Sequence, residues 1–194
     1  RASALAIGPG LGRTPARQAL VRELLGRIEL PAVVDADALY LLEPVVRAQP
    51  TVLTPHAGEL TRLLGAERGW VDAHRLEAAR AAAARFGAVV LLKGRDTVVA
   101  APTESGSDPD QRDPAGLPRI VVCDLGPPSL ATAGTGDVLT GVLAAFLTRM
   151  DAQLAAAAAA VVHGLAARAV AHQAGLVASD LLAAVPSVID GRSS

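Results

Sequence analysis

Aromatic rings are almost absent from this sequence: Trp, Tyr and Phe make up 2% of it, although 51% of its residues are hydrophobic. The interior must then be built from Ala, Val and Leu, side chains that let helices lie close on a sheet. Cysteine is scarcer still. Cys123 stands alone, which excludes an internal disulfide, and no Cys/His group carries zinc-ligand spacing. A reducing compartment, the cytoplasm, is the default expectation. Positive charge is not in excess: 18 Lys and Arg against 19 Asp and Glu leave a net charge of -1. That disfavours a nucleic-acid partner, whose phosphates select basic surfaces. An unbroken apolar run is also missing. The stretch 152–175 is interrupted by Gln153, His163, Arg168 and His172 and is rich in alanine, which reads as a buried or interface helix rather than a membrane span. There is no initiator Met, and a strand follows almost at once after Arg1, so the chain is expected to be a fragment lacking its upstream part.

Its 194 residues fit one domain, 1–194. Short apolar runs at 4–7, 32–34, 51–53, 89–92, 98–101 and 120–123 predict buried strands. Between most of them lie helical stretches. Thr14 and Pro15 form an N-cap and first-turn pair opening a helix toward Ile28, and apolar spacing predicts a helix over 70–86 closed by Gly87. Strands alternating with helices imply an α/β fold with a mainly parallel sheet. The runs near Val98 and Ile120 lack a helix between them, which predicts an antiparallel edge joined by a mobile surface loop over 102–118. After Gly136 the pattern is helical, through 137–149, 151–175 and 179–185.

Five segments bear on chemistry. In ATAGTGDVLTG, residues 131–141, Gly134, Thr135 and Gly136 expose amides where a helix begins, an arrangement that binds anions. Asp137 on the first turn either compensates the helix dipole or accepts a proton from a substrate hydroxyl while the amides hold phosphoryl oxygens. In TPHAGE, residues 54–59, His56 is a ligand contact or a satisfied loop histidine, and Glu59 holds a magnesium-bound water or caps a helix. In VVDADAL, residues 33–39, Asp35 and Asp37 orient a hydrated metal or phosphate, or cap the short helix near Ala36. In LKGRDTVV, residues 92–99, Lys93 and Thr97 touch nucleotide phosphate or ribose and Gly94 admits a ligand, unless the segment is a plain surface turn. IGPGLGR, residues 7–13, matches neither GxGxxG nor Walker A, yet Gly10 and Gly12 end a strand where ligands approach. A doubly wound sheet gathers such points at one crevice. With no nucleophilic Ser/Cys–His pair, the set suits phosphoryl transfer to a hydroxyl better than triad hydrolysis.

In this order, GPGLG, VDADAL, LTPHAGE, LLKGRDTVVA, LATAGTGDVLTG, AVVHGLAARA and SDLLAAVPSVI resemble the NAD(P)H-hydrate dehydratase family, across residues 6–189. The resemblance implies a ribokinase-like, three-layer α/β/α fold whose N-terminal strands and helices are missing here. It implies ADP or ATP with Mg2+, hydrated NADH or NADPH (NAD(P)HX) as substrate, homo-oligomers, and a fused or separate NAD(P)H-hydrate epimerase. By this likeness Gly10, His56 and Asp137 contact the hydrate. Lys93, Gly94, Arg95, Asp96, Thr97 and Gly136 hold the nucleotide, and Asp137 is the base in phosphorylation of the hydrate hydroxyl, after which phosphate is eliminated. Two alternatives stand beside this: another ribokinase-like kinase acting on a vitamin precursor, and a nucleotide-binding or assembly module without catalysis.

Overall fold

In the computed structural model, which describes residues 2–102 and 120–191, the six apolar runs become one sheet. Its strands are β1 (Leu5–Ile7), β2 (Ala32–Val34), β3 (Thr51–Leu53), β4 (Val89–Leu92), β5 (Thr97–Ala100) and β6 (Ile120–Cys123), side by side in chain order. β1 to β4 pair in parallel, as crossover connections require, and β5 and β6 complete the sheet as antiparallel neighbours. The antiparallel edge expected near Val98 and Ile120 is therefore present. The loop expected between them lies, after Pro102, outside the described residues.

Side chains alternate between two cores. Val34, Leu53, Val90, Leu92 and Val98 face one; Val33, Val52, Leu91, Val99 and Cys123 face the other. A strand buried on both faces needs no polar alternation, which is why the runs are continuously apolar. The first core is closed by α1 (Pro15–Arg27), α2 (Ala57–Leu64), α3 (Trp70–Ala73) and α4 (Arg75–Phe86). α5 (Thr135–Leu147) and α6 (Ala152–Ala169) close the second, and α7 (Ala178–Ile189) packs against them. The result is the expected α/β/α stack. Alanine fills the role that rings play elsewhere: Ala78, Ala79, Ala82 and Ala83 of α4 and Ala155, Ala156 and Ala159 of α6 have no exposed surface.

Several boundaries differ from expectation. Residues 70–86 form two helices, because the chain leaves helical geometry at His74 (φ -130°, ψ 48°), whose ring stacks on Trp70. α2 was signalled only by the capping alternative for Glu59; at eight residues it is too short to show a period. α6 stops at Ala169 rather than Gly175, and α7 runs through Pro186 to Ile189. Thr14 occupies the N-cap position of α1 but makes no side-chain capping bond; its carbonyl accepts from the Arg17 and Gln18 amides instead.

Candidate active site

The carboxyl ends of β2, β3 and β4 lie together, so the acidic, TPHAGE and LKGRD segments meet. His56 bridges to Lys93, whose amide donates to the Pro55 carbonyl at 2.8 Å. Asp35, after β2, is 1% exposed. Its Oδ1 accepts from Lys93 Nζ at 2.7 Å and its Oδ2 from Thr140 Oγ1 at 2.8 Å. A carboxylate so buried is costly unless both oxygens are paired, and here they are. Asp35 thus anchors β2, β4 and α5 to one another, and Thr140 was not visible as its partner in the sequence.

Arg75 is a second residue that sequence reasoning missed. From the start of α4 its Nη2 donates toward the carbonyls of Leu92, Lys93 and Asp96 at 3.3, 3.2 and 3.0 Å, clasping the β4–β5 turn. A Cβ on Gly94 would stand 2.5 Å from that nitrogen, so Gly94 makes room for the arginine first. Asp96 enters this clasp through its carbonyl. Arg95 points out of the turn, exposed and without an acceptor among the described residues.

At the start of α5, Gly134 stands in left-handed backbone (φ +86°) as N-cap, with no side-chain cap. Its carbonyl accepts from the Asp137 and Val138 amides, and the Thr135 amide reaches the Thr132 carbonyl at 3.4 Å. Among the described residues no acceptor is given to the amides of Gly134 and Gly136. The expected anion hole is thus narrowed to those two donors, because Thr135 is engaged by its own turn. Asp137 is exposed, and its carboxylate has no partner among the described residues. His163 of α6, singled out by the sequence only as an interruption of the apolar stretch, is 7% exposed and lies with Nε2 2.9 Å from the Thr135 carbonyl oxygen. Burial, and secondarily the Lys93 charge, push its pKa below the ordinary histidine value against the opposing effect of the Thr135 bond.

His56 is the N-cap of α2. Nδ1 accepts from the Gly58 and Glu59 amides at 3.0 and 3.3 Å, while Glu59 Oε2 accepts from the His56 amide at 2.9 Å, a reciprocal capping box. Glu59 is the capping carboxylate, the second of its two expected parts. Nδ1 as acceptor leaves the proton on Nε2, which lies 3.5 Å from Glu59 Oε1. The N-cap position of the short helix is Asp35, so Asp37 does not cap it. Its carboxylate accepts from the Gly12 amide at 2.8 Å and Arg13 Nε at 2.7 Å, tying down the GPGLG loop. These bonds, the Gly12 amide foremost, hold its pKa below the usual carboxylate value.

A cavity of about 550 Å³ joins these parts. His56, Lys93, Gly94, Arg95, Thr97, Thr135 and Gly136 line it; Pro127, Pro128, Leu139 and His163 supply further wall. Gly10, Glu59, Asp96, Gly134 and Asp137 are not among its lining residues, although Asp137 directly follows Gly136. A second cavity of the same size, bounded by Arg13, Arg22, Tyr40 and Arg62, gathers none of the glycine-rich helix start. For a phosphate-bearing nucleotide the first cavity fits: Gly136 with its free amide, Lys93 and the exposed Arg95 line it. For a metal held by protein carboxylates the fit is poor, since Asp35 and Glu59 are engaged and no group of three His, Cys, Asp or Glu among the described residues could hold one.

A mainly parallel sheet between two helical layers, with a cavity where the carboxyl ends of its strands meet the glycine-rich helix start, is a ribokinase-like α/β fold. A ribokinase-like superfamily protein from Enterococcus faecalis V583 has the same fold, with a TM-score of 0.77 at 23% identity over 99% of this chain and 64% of that one. The chain belongs to the NAD(P)H-hydrate dehydratase family, whose sequence pattern it matches over residues 1–187. It is 43% identical over 95% of its length to the bifunctional NAD(P)H-hydrate repair enzyme Nnr of Moorella thermoacetica, of which it covers 34%. The protein of the same name from Salinibacter ruber is 42% identical over 98% of this chain, with 34% of that protein covered. The ADP/ATP-dependent NAD(P)H-hydrate dehydratase of Bacillus subtilis, crystallised with ATP/Mg2+ and soaked with CoA, superposes with a TM-score of 0.82 at 32% identity, over 98% of this chain and 66% of that one. The chain thus spans about a third of the length of these curated relatives.

Proposed function

We propose that this chain carries the ADP- or ATP-dependent dehydration of hydrated NADH and NADPH, a repair of damaged reduced nicotinamide nucleotides. The observation that carries it is the cavity that joins the His56 turn, the Lys93–Thr97 turn and the start of α5. In this reading Lys93, Gly94, Arg95 and Thr97 receive the nucleotide, and the amides of Gly136 and Gly134 receive the transferred phosphoryl group. His56 Nε2–H and Gly10 meet the hydrate. The Asp137 carboxylate takes the proton of the hydrate's 6-hydroxyl as that oxygen bonds to phosphorus. The C6–O bond then breaks, phosphate leaves with the bonding pair, and loss of a ring proton restores the dihydropyridine. Magnesium, where it accompanies the nucleotide, is bound through phosphate oxygens and water, the usual habit of that ion; the protein's own task is to bind, orient and accept a proton. We place the protein in the cytoplasm as a homo-oligomer, working beside an NAD(P)H-hydrate epimerase that supplies the reactive epimer.

The test is to supply the intact protein with the hydrate of NADH and either nucleotide, and to follow the absorbance of the reduced nicotinamide. Recovery of NADH with stoichiometric release of phosphate is expected. A stable phosphorylated product would identify a simple kinase, and nucleotide binding without any turnover a non-catalytic module; either overturns the proposal.

A further inference from the structure

The reading above assigns nothing to His163, yet its ring is buried in the wall of the cavity and bonded to the backbone of the anion-binding turn. The bonded atom is the carbonyl oxygen of Thr135, 2.9 Å from Nε2. A carbonyl accepts, so Nε2 carries the proton. The peptide unit that owns this oxygen also owns the Gly136 N–H. That unit is planar and trans, so its C=O and N–H point in opposite directions and turn together. A donor fixed on the oxygen therefore fixes where the N–H points. Drawing electron density toward the oxygen also makes the N–H a stronger donor, since bonds linked through one amide polarise each other. Gly136 is the residue whose amide has no acceptor among the described residues and which lines the cavity.

The ring is suited to this use. It is held by α6, whose neighbouring residues Ala159, Ala160, Ala166 and Ala167 are buried, so it has little room to move. Burial favours its neutral form, which has one donor and one acceptor nitrogen. The acceptor, Nδ1, has no hydrogen-bond partner among the described residues, and the ring lines the cavity. Beside the same turn, Lys93 Nζ stands 3.5 Å and its partner Asp35 Oδ2 3.9 Å from where a Cβ on Gly136 would be.

We infer that His163 is a positioning residue for phosphoryl transfer: its Nε2–H, bonded to the Thr135 carbonyl, aims and polarises the Gly136 N–H at the transferred group. The role in turnover rests on the proposed function; the geometry of the turn does not. Two substitutions in the intact protein separate the donor from the bulk. His163→Leu keeps volume and removes the donor, and His163→Gln puts an amide N–H within reach of the same oxygen. Loss of a single donor to a developing charge lowers turnover by about 100-fold in comparable sites, so misaiming one is expected to cost about 10- to 100-fold in kcat. KM for the hydrate should change by less than about threefold, because the bond matters most as charge develops on the phosphoryl oxygens. His163→Gln should restore kcat to within about fivefold of wild type.

Proton–nitrogen spectra supply a readout independent of activity. The wild-type ring should show the Nε2–H tautomer at neutral pH, and the Gly136 amide proton should move upfield in His163→Leu and return in His163→Gln. A wild-type ring protonated on Nδ1, an unmoved Gly136 resonance, or wild-type kcat in His163→Leu would each overturn the inference. If the wild-type protein fails to dehydrate the hydrate, the proposed function falls, while the tautomer and the Gly136 resonance still decide the role of His163. Should the leucine variant not fold, the wild-type tautomer and the glutamine variant's Gly136 resonance decide it.

Discussion

Asp137 stands on the first turn of α5 with its carboxylate exposed and unpartnered among the described residues. It neither caps the helix nor pairs with a described cation, and the proposed function makes it the base. Asp137→Asn preserves shape and removes the base, and general-base assistance is worth about 100- to 10,000-fold, so turnover should fall within that range. Nucleotide affinity by calorimetry should stay near wild type, and wild-type turnover would reject the role. Gly8 presents a different demand. Its φ of +131° is one that side chains avoid, and a Cβ there would lie 1.7 Å from the Asp35 carbonyl oxygen. β1 and β2 end in such close contact that Gly8→Ala should lower unfolding free energy by about 3 kcal/mol, a large overpacking cost. Urea unfolding with an unchanged midpoint would contradict this. The motif glycines were legible as turn formers, but which of them faced backbone rather than ligand was not, because that depends on a strand 27 residues away in register.

Among the elements, α2 shows how one residue can serve two ends. His56 caps the helix with Nδ1 and its ring also lines the cavity, where the proposed function has it meet the hydrate. His56→Asn separates the tasks. Asparagine is among the best N-caps, so stability should stay within about 0.5 kcal/mol of wild type, while its shorter side chain withdraws from the cavity. KM for the hydrate should rise by about tenfold, the worth of one hydrogen bond to a neutral group. A variant with normal KM would return His56 to a purely structural part. The sequence carried the cap in the spacing of His56 and Glu59, yet α2 showed no period, because eight residues bury only Glu59, Leu60 and Leu63. The break at His74 was likewise hidden. It lets α4 begin at Arg75, whose guanidinium reaches the β4–β5 turn, a need imposed by a segment 17 to 21 residues away.

For the molecule as a whole, two pKa shifts predict how stability depends on pH. The Asp37 pKa is lowered in the folded protein, so its contribution is complete above the unfolded value of about 3.9 and is lost as pH falls through the lower folded value. His163 acts in a higher window. Its folded pKa is also lowered, so above about 6.5 both states are neutral, and below it the unfolded chain takes up a proton that the buried ring declines. Stability should thus decline in two steps on acidification, the first opening just below neutrality. Chemical unfolding across pH checks this: His163→Gln should flatten the upper step and Asp37→Asn the lower. An upper step that survives His163→Gln would show that another group causes it.

Periodicity and punctuation in the sequence were enough to determine six strands, the α/β class and the antiparallel edge. Those features depend on local burial and on turn chemistry, which each segment carries in itself. What only the tertiary structure decided is pairing. That Asp35 binds Lys93 and Thr140, 58 and 105 residues distant, that Asp37 ties down Gly12, and that His163 holds the Thr135–Gly136 peptide are contacts made across the layers. No local pattern encodes such partners, since a buried polar group requires a complement but leaves open which distant residue provides it.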